Sequence, residues 1–329
     1  KTIDHNAPNA LDTAASLLRA GGLVALPTET VYGLAADATN AQAVAGIYKA
    51  KGRPSFNPLI SHVSSREMLL DYARVPAVAE LLVAAFWPGP LTLVLEKAAS
   101  CALTPAVTAG LATAAFRMPK QSFTLSVIEA LGRPVAAPSA NTSGKLSPTC
   151  ARDVLADLGE AVPLIIDGGP CGVGIESTII HIRADGEALT LLRPGTLTPD
   201  EISAVAGMPV QHYEGSDITA PGQITSHYAP NASMRLNAAY PEAGEVFIQF
   251  GPAQGTTDMP LAEETPHYTL SPSGDLSEAA RTLFSVLRAA DTHNKPIAVA
   301  PIPNTGIGLA VNDRLTRAAA PRITPSEKP

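Results

Sequence analysis

Only 16% of the residues are charged, yet cations recur beside glycine, proline, serine or asparagine. "KAKGRPSFNPLISH" carries Lys49, Lys51, Arg53, Asn57 and His62. "TAAFRMP" places Arg117 two residues before a proline, and "LLRPG" places Arg193 at the end of an apolar run. "APSANTSGKLSPT" offers Ser139, Asn141, Ser143 and Ser147, and "GIESTII" offers Glu176, Ser177 and Thr178. An arginine fork grips carboxylate or phosphate in two places, whereas lysine acts as a mobile point charge. Together these segments describe a cleft at sheet ends with several cations and many neutral donors. Such a cleft suits a polyphosphate plus a second small anion.

Each segment also has a plainer reading. Lys49 at a helix end is a favourable dipole partner. Lys51 and Arg53 fit that role too, but "GRP" forces the chain out of helix and fixes their direction. Arg117 lies in an apolar strand, where burying a lone charge is costly, so it must be paired or face a cleft. The Ser/Asn-rich loop reads as a turn or as a site. His62 alone reads as a satisfied histidine of a core or a sheet edge.

Common signatures are absent. There is no GxxxxGK[ST] loop, HExxH or GxSxG, and the seven histidines show no metal-ligand spacing. "GVGIES" (Gly172–Ser177) and "GIGLAV" (Gly306–Val311) only half-match a dinucleotide fingerprint. Cys101, Cys150 and Cys171 are too few and too scattered for a disulfide framework or zinc module, which fits a reducing compartment. The net charge of −7 argues against coating nucleic acid by bulk charge, though not against a local basic cleft. No run approaches the ~18 apolar residues of a membrane span, and "KTIDHNAPNALD" lacks the apolar core of a signal peptide. The expectation is a cytoplasmic protein.

The elements that must hold this cleft are legible in outline. A length of 329 residues suggests about two domains. Strand patterns ("LVAL", "PLISHV", "LTLVLEK", "TAAFRMP", "RPVAAPS", "PLIID", "STIIHI", "ALTLLRP") are interspersed with helix patterns ("NALDTAASLLRAGG", "NAQAVAGIYKAKG", "PAVAELLVAAF", "SFTLSVIEALG", "ARDVLADLG"). This predicts a twisted mixed α/β sheet with flanking helices. "PTETVYGLAADA" (Pro27–Ala38) follows the strand "LVAL" and reads as a polar corner turning Thr28, Glu29 and Thr30 into the cleft. Tyr32 is expected to wall the pocket there, and Gly33 to let the backbone pass. Pro209–Asn231 is polar and aperiodic, hence a linker or a functional loop. Beyond it, "EVFIQF", "DLSEAARTLFSVLRAAD", "PIAVAPIP" and "GIGLAVNDRLTRAA" predict a smaller Rossmann-like α/β unit. Asp275 and Glu278 suggest a capping-box-like start to its long helix.

The ordered set "PTETVYGL", "KGRPSFNPL", "FRMP", "PSANTSG", "ESTII" and "RPG" resembles the threonylcarbamoyl-AMP synthase family, built on a YrdC-like domain. "SHYAP" followed by a small α/β unit resembles the family's longer, two-domain form. The resemblance implies a YrdC-like synthase domain over 1–208, a linker or lid over 209–234 and a C-terminal α/β domain over 235–329. It implies that L-threonine, bicarbonate or CO2, and ATP give threonylcarbamoyl-adenylate and pyrophosphate. The product would feed a tRNA threonylcarbamoyl transferase; contact with tRNA itself is not required. By motif, Lys51 and Arg53 would be the catalytic cations. With Asn57 they would hold the ATP phosphates, and Thr113, Ser139, Asn141 and Ser147 would line the nucleotide side. Thr30, His62, Arg117 and Ser177 would hold threonine, with a backbone contact at Ala137. Arg193 and Tyr228 would close over the nucleotide. Mg2+ would arrive with ATP rather than in a carboxylate cage, with Glu29 and Glu176 as outer partners only. Two alternatives stay open: a carbamoyl-transfer enzyme of the same fold, and a protein binding structured RNA through a basic concave face.

Overall fold

The computed structural model describes residues 1–213, 215, 227–252 and 265–321. Most of the segment between Tyr213 and His227, including Pro221 and Ser226, lies outside the described residues, as does the tail beyond Pro321.

In chain order the first part comprises β1 (Thr2–Asp4), α1 (Ala10–Arg19), β2 (Val24–Leu26), β3 (Gly33–Asp37), α2 (Ala41–Lys51), β4 (Ile60–His62), α3 (Arg66–Tyr72) and α4 (Ala77–Phe86). It continues with β5 (Leu91–Glu96), α5 (Pro105–Thr108), β6 (Thr113–Arg117), α6 (Ser122–Leu131), β7 (Val135–Ala136), α7 (Ala151–Leu158) and β8 (Leu164–Asp167). Then come β9 (Thr178–Ile182), β10 (Leu189–Arg193), α8 (Pro199–Ala206) and β11 (Val210–His212). Among the described residues, these strands form one 11-stranded sheet in the order β1-β8-β2-β3-β7-β4-β6-β5-β9-β10-β11. It is mixed: β4 and β6 run parallel, as do β5 and β9, while β7 and β10 run antiparallel to β4 and β9.

The second part holds β12 (Met234–Arg235), β13 (Val246–Gln249), β14 (His267–Thr269), α9 (Leu276–Asp291), β15 (Ile297–Val299) and α10 (Gly308–Ala319). Its sheet, β12-β15-β13-β14, is parallel throughout, as the Rossmann-like reading expects. The apolar stripe of α9 is buried at Ala279, Ala280, Leu283, Phe284, Leu287 and Ala290. Its start is only half a capping box. Asp275 accepts from the Glu278 amide at 2.6 Å, but the Glu278 carboxylate turns to the Ser271 hydroxyl.

Side-chain alternation explains how the large sheet presents a site. Successive residues of a strand point to opposite faces. Phe116, Ile180, Leu91, Leu93 and Leu95 face the main core. The other face carries a small apolar cluster of Ile60, Val94, Ala115, Ile179 and Leu192. Two residues from these in sequence, on the same face, stand His62, Arg117 and Ser177. Register sets His62 directly beside Arg117 on the parallel β4–β6 pair. Arg193 would fall on the core face by simple alternation from Leu191. A register shift between Leu191 and Arg193 re-aims it, the usual use of a bulge near a site.

Candidate active site

A cavity of about 50 Å³ opens on this second face, room for a few water molecules. It is lined from β4 and β6 by Ile60, His62 and Arg117, from the loop after β7 by Ala137 and Ser139, and from β9 and β10 by Ser177 and Arg193. Thr28, Thr30, Arg53 and Glu176 complete the walls, with His227 and Tyr228 over the top.

Arg117 is the anchor of one wall. Its Nε donates to the Gly89 carbonyl at 3.1 Å, Nη1 to Thr30 Oγ1 at 2.8 Å and Nη2 to Glu29 Oε1 at 2.6 Å. The expectation that this strand arginine must be paired or face a cleft holds on both counts. Thr30 is fixed from its own turn as well, because Thr28 Oγ1 lies 2.9 Å from Thr30 Oγ1 and donates to the Val31 carbonyl at 2.6 Å. The polar corner is thus real. Tyr32, however, does not wall the pocket. Its hydroxyl donates to the Gly169 carbonyl at 2.7 Å and accepts from the Gly168 amide at 3.0 Å, which turns the ring away, and Val31 lines the cavity instead.

The opposite wall is built around Arg193. Its Nε and Nη2 converge on the Ser177 carbonyl at 3.1 and 3.0 Å, and Ser177 Oγ lies 2.7 Å from Thr92 Oγ1. The "RPG" turn requires its glycine, since a Cβ on Gly195 would strike the Thr178 amide. Arg53 donates to the Asn57 and Pro58 carbonyls at 3.2 and 2.8 Å, so the "GRPSFNP" loop folds around its own guanidinium.

Lys51 is buried at 2% exposure and sits behind the cavity wall rather than on it. The left-handed cap at Gly52 turns the chain out of α2. The Lys51 ammonium then donates to the Ser139 and Asn141 carbonyls, tying α2 to the "PSAN" loop. Burial, then the neighbouring Arg53, pulls its pKa well below the ordinary lysine value. Asn141 and Ser147 are likewise behind the wall. Asn141 Nδ2 donates to the Thr142 and Lys145 carbonyls, and Ser147 Oγ donates to Glu176 Oε1. Asn57 is fully buried, with neither side-chain polar atom partnered. Thr113 lies at the far end of β6 from Arg117, opposite Glu96, and does not line the cavity. Ala137 donates its amide to the Ile60 carbonyl at 3.0 Å.

Among the ionisable lining residues, two escaped the sequence reading as wall elements. His227 stacks edge-on against Tyr228 with ring centres 4.1 Å apart, and its place beside that tyrosine was the available clue. Glu176 was expected only as an outer partner, yet it lines the cavity. Burial opposes its ionisation, but Arg314, Arg193 and the Ser147 hydroxyl outweigh that and lower its pKa to about 2. Burial lowers the pKa of His62 to about 3, with Arg117 adding to the effect, and burial lowers that of His227 to about 3. Both rings are neutral, and Nδ1 of each lacks a partner.

The roof belongs to the linker's end. Tyr228 adopts a left-handed backbone (φ 61°) and is 1% exposed, with its ring 5.5 Å from Phe284 of α9. The Ala229 amide donates to the Gly144 carbonyl at 2.8 Å. The two half-fingerprints have packing roles. A Cβ on Gly174 would strike the α9 backbone at Arg281, and one on Gly308 would strike the Pro303 carbonyl at the start of α10.

A twisted mixed sheet bearing a small, cation-walled cavity under His227 and Tyr228, followed by a parallel α/β unit, defines a two-part α/β protein with the features of an enzyme site. A family model described as "Telomere recombination" matches residues 16–195, and one described as "Threonylcarbamoyl-AMP synthase, C-terminal domain" matches 197–320. The threonylcarbamoyl-AMP synthase of Bacillus subtilis is 42% identical, covering 94% of this chain and 93% of its own. That of Pyrococcus abyssi is 41% identical, covering 94% of each. The crystal structure of P. abyssi Sua5 complexed with L-threonine superposes with a TM-score of 0.84 at 38% identity, covering 94% of both chains. The chain belongs to the threonylcarbamoyl-AMP synthase family, in its two-domain form with a YrdC-like fold.

Proposed function

We propose that the chain is a nucleotidyltransferase that makes threonylcarbamoyl-AMP and pyrophosphate from L-threonine, bicarbonate or CO2, and ATP. The observation that carries this is the pairing of two different anion-binding walls across one small cavity: Arg117 with Thr30 and His62 on one side, Arg53 and Arg193 on the other.

On this reading the threonine carboxylate meets Arg117, whose fork is already oriented by Thr30, Glu29 and the Gly89 carbonyl. Neutral His62 and Ser177 face the amine and hydroxyl, and the Ala137 backbone closes that side. The neutral amine of threonine attacks the carbon of CO2 to form a carbamate and gives up a proton. A carbamate oxygen then attacks the α-phosphorus of ATP, and the bond from that phosphorus to the bridging oxygen of the β-phosphate breaks. Arg53 and Arg193 hold the phosphates, with Ser139 beside them. Lys51, Asn57, Asn141 and Ser147 hold the loops around the phosphates from behind the cavity wall, and Thr113 lines the nucleotide side beyond it. The carbamate is anionic and short-lived, so positioning and exclusion of water govern the rate. Buried neutral histidines and the Tyr228 roof supply that exclusion.

Mg2+ is proposed to enter with ATP, where it would offset charge on the leaving pyrophosphate. No protein cage is assigned to it, because Glu29 and Glu176 are each engaged by an arginine. Tyr228 lines the cavity from the linker's end, which supports a lid role for the linker over 209–234. The division into a synthase unit (1–208) and a smaller unit (235–329) is part of the same proposal. It is supported by the two separate sheets. Delivery of the product to a tRNA-modifying transferase, in the cytoplasm, is part of the same proposal, since a reactive adenylate favours prompt transfer. No described helix is long and apolar enough to cross a membrane.

The test is to incubate the protein with ATP, L-threonine and 13C-bicarbonate and analyse the products by mass spectrometry. A threonylcarbamoyl-adenylate one mass unit heavier than with unlabelled bicarbonate is expected. An adenylate of threonine without the added carbon would overturn the proposal.

A further inference from the structure

A carboxylate facing a cleft meant for polyphosphate is an anomaly. Arg117 is already offset by Glu29. Arg53 and Arg193 remain to receive phosphates, and Glu176, on the same wall, would cancel one of them. The compensation comes from the other part of the molecule. Arg314, on α10, is fully buried and donates from Nε to Glu176 Oε2 at 2.9 Å. Its Nη1 donates to the Pro194 carbonyl at 2.8 Å, next to Arg193, and to Asp313 Oδ2 at 2.8 Å. Its guanidinium carbon lies 5.4 Å from the centre of the Tyr228 ring. One side chain thus touches the anion of the cleft, the turn holding Arg193 and the aromatic roof.

We propose that Arg314 is a positioning residue for the nucleotide side of the cleft: it neutralises and fixes Glu176, leaving Arg53 and Arg193 free for phosphate. The inference rests on the reading that ATP occupies this cleft. It gives the C-terminal unit a direct part in the chemistry, through a charge delivered into the site of the first unit. A buried pair broken on one side leaves an uncompensated charge. Loss of Arg314 would therefore set an unpaired carboxylate against the phosphates, beside Ser147, His227 and Tyr228, which cannot neutralise it. Arg193, the other cation that lowers the Glu176 pKa, is held by the Ser177 carbonyl and would be drawn to the bare carboxylate instead of to phosphate.

The test uses the full chain as R314M, R314K, E176Q and R314M/E176Q, with pyrophosphate release measured against MgATP at saturating threonine and bicarbonate. R314M should raise the KM for ATP by about tenfold or more while changing that for threonine less than about threefold. R314K should fall between R314M and wild type. Adding E176Q to R314M should recover most of the ATP loss, because the repelling charge is gone; a purely structural role would make the two losses accumulate. If R314M does not fold, R314K and R314K/E176Q are compared in the same way. An unchanged KM for ATP in the Arg314 variant, or a double variant as impaired as the single one, overturns the assignment. A wild type that releases no pyrophosphate overturns the functional reading and this assignment with it, whereas an active wild type beside an unaffected R314M overturns this assignment alone.

Discussion

Arg117 Nη1 donates to Thr30 Oγ1 at 2.8 Å, joining residues 87 apart in sequence, both buried. One comes from the end of β6 and the other from the turn after β2. The contact fixes the guanidinium before any substrate arrives, so a carboxylate would meet a pre-aimed fork.

Replacing Arg117 with lysine keeps the charge but loses the fork and its bonds to Thr30 and Glu29. A hydrogen bond to a charged group is worth about 1.5–3 kcal/mol, so the KM for threonine should rise by about ten- to a hundredfold. The KM for ATP should change by less than about threefold. Steady-state kinetics with each substrate varied separately checks this, and the reverse pattern would exchange the two walls of the cleft.

Asn57 is buried with its amide unpartnered. Such burial costs about 1–3 kcal/mol, a cost that Asn57→Ala removes while leaving a small cavity. The two effects offset, so the melting temperature of the free protein should stay within about 3 °C of wild type. The extra stabilisation on adding ATP should shrink. A large fall in the free protein with the ATP increment intact would make Asn57 a structural residue.

His62 and His227 titrate near pH 3 in the folded protein, against about 6.5 when unfolded. Between those values the unfolded chain binds more protons, so stability is full above about pH 6.5 and falls as pH drops towards 3. Each histidine should contribute about 3 kcal/mol of loss by pH 4.5. Glu176, lowered to about 2, adds a further loss only below about pH 4.5. Denaturant unfolding of wild type and His62→Gln across pH 4.5–7 should show a flatter slope in the variant. Equal slopes would mean that His62 is protonated in the fold.

Most regular elements were legible because their patterns are local. The Asn40 cap and the left-handed Gly52 bound α2 as expected, and the apolar period of α9 marks its buried face. The strand β3 was read as part of a polar corner. Its "GLAAD" is buried along its whole length, so small residues stand where alternation would have signalled a strand. The conspicuous cations Arg53, Arg117 and Arg193 were singled out, and the cavity brings them together. Arg314 was not, because "NDRLTRAA" looks like any helix surface and its partner Glu176 lies 138 residues away. Lys51 was legible as special but not as buried, since its carbonyl partners belong to a loop nearly 90 residues on. The aim of Arg193 depends on a bulge that no residue type announces.

The most direct measurement is the release of pyrophosphate from ATP by the purified full chain, with L-threonine and bicarbonate each omitted in turn. A cleft that joins a threonine-derived carbamate to the α-phosphorus should release pyrophosphate, in equal amount to AMP-containing product, only when both are present. Release at the same rate without threonine, or without bicarbonate in CO2-depleted buffer, would contradict it.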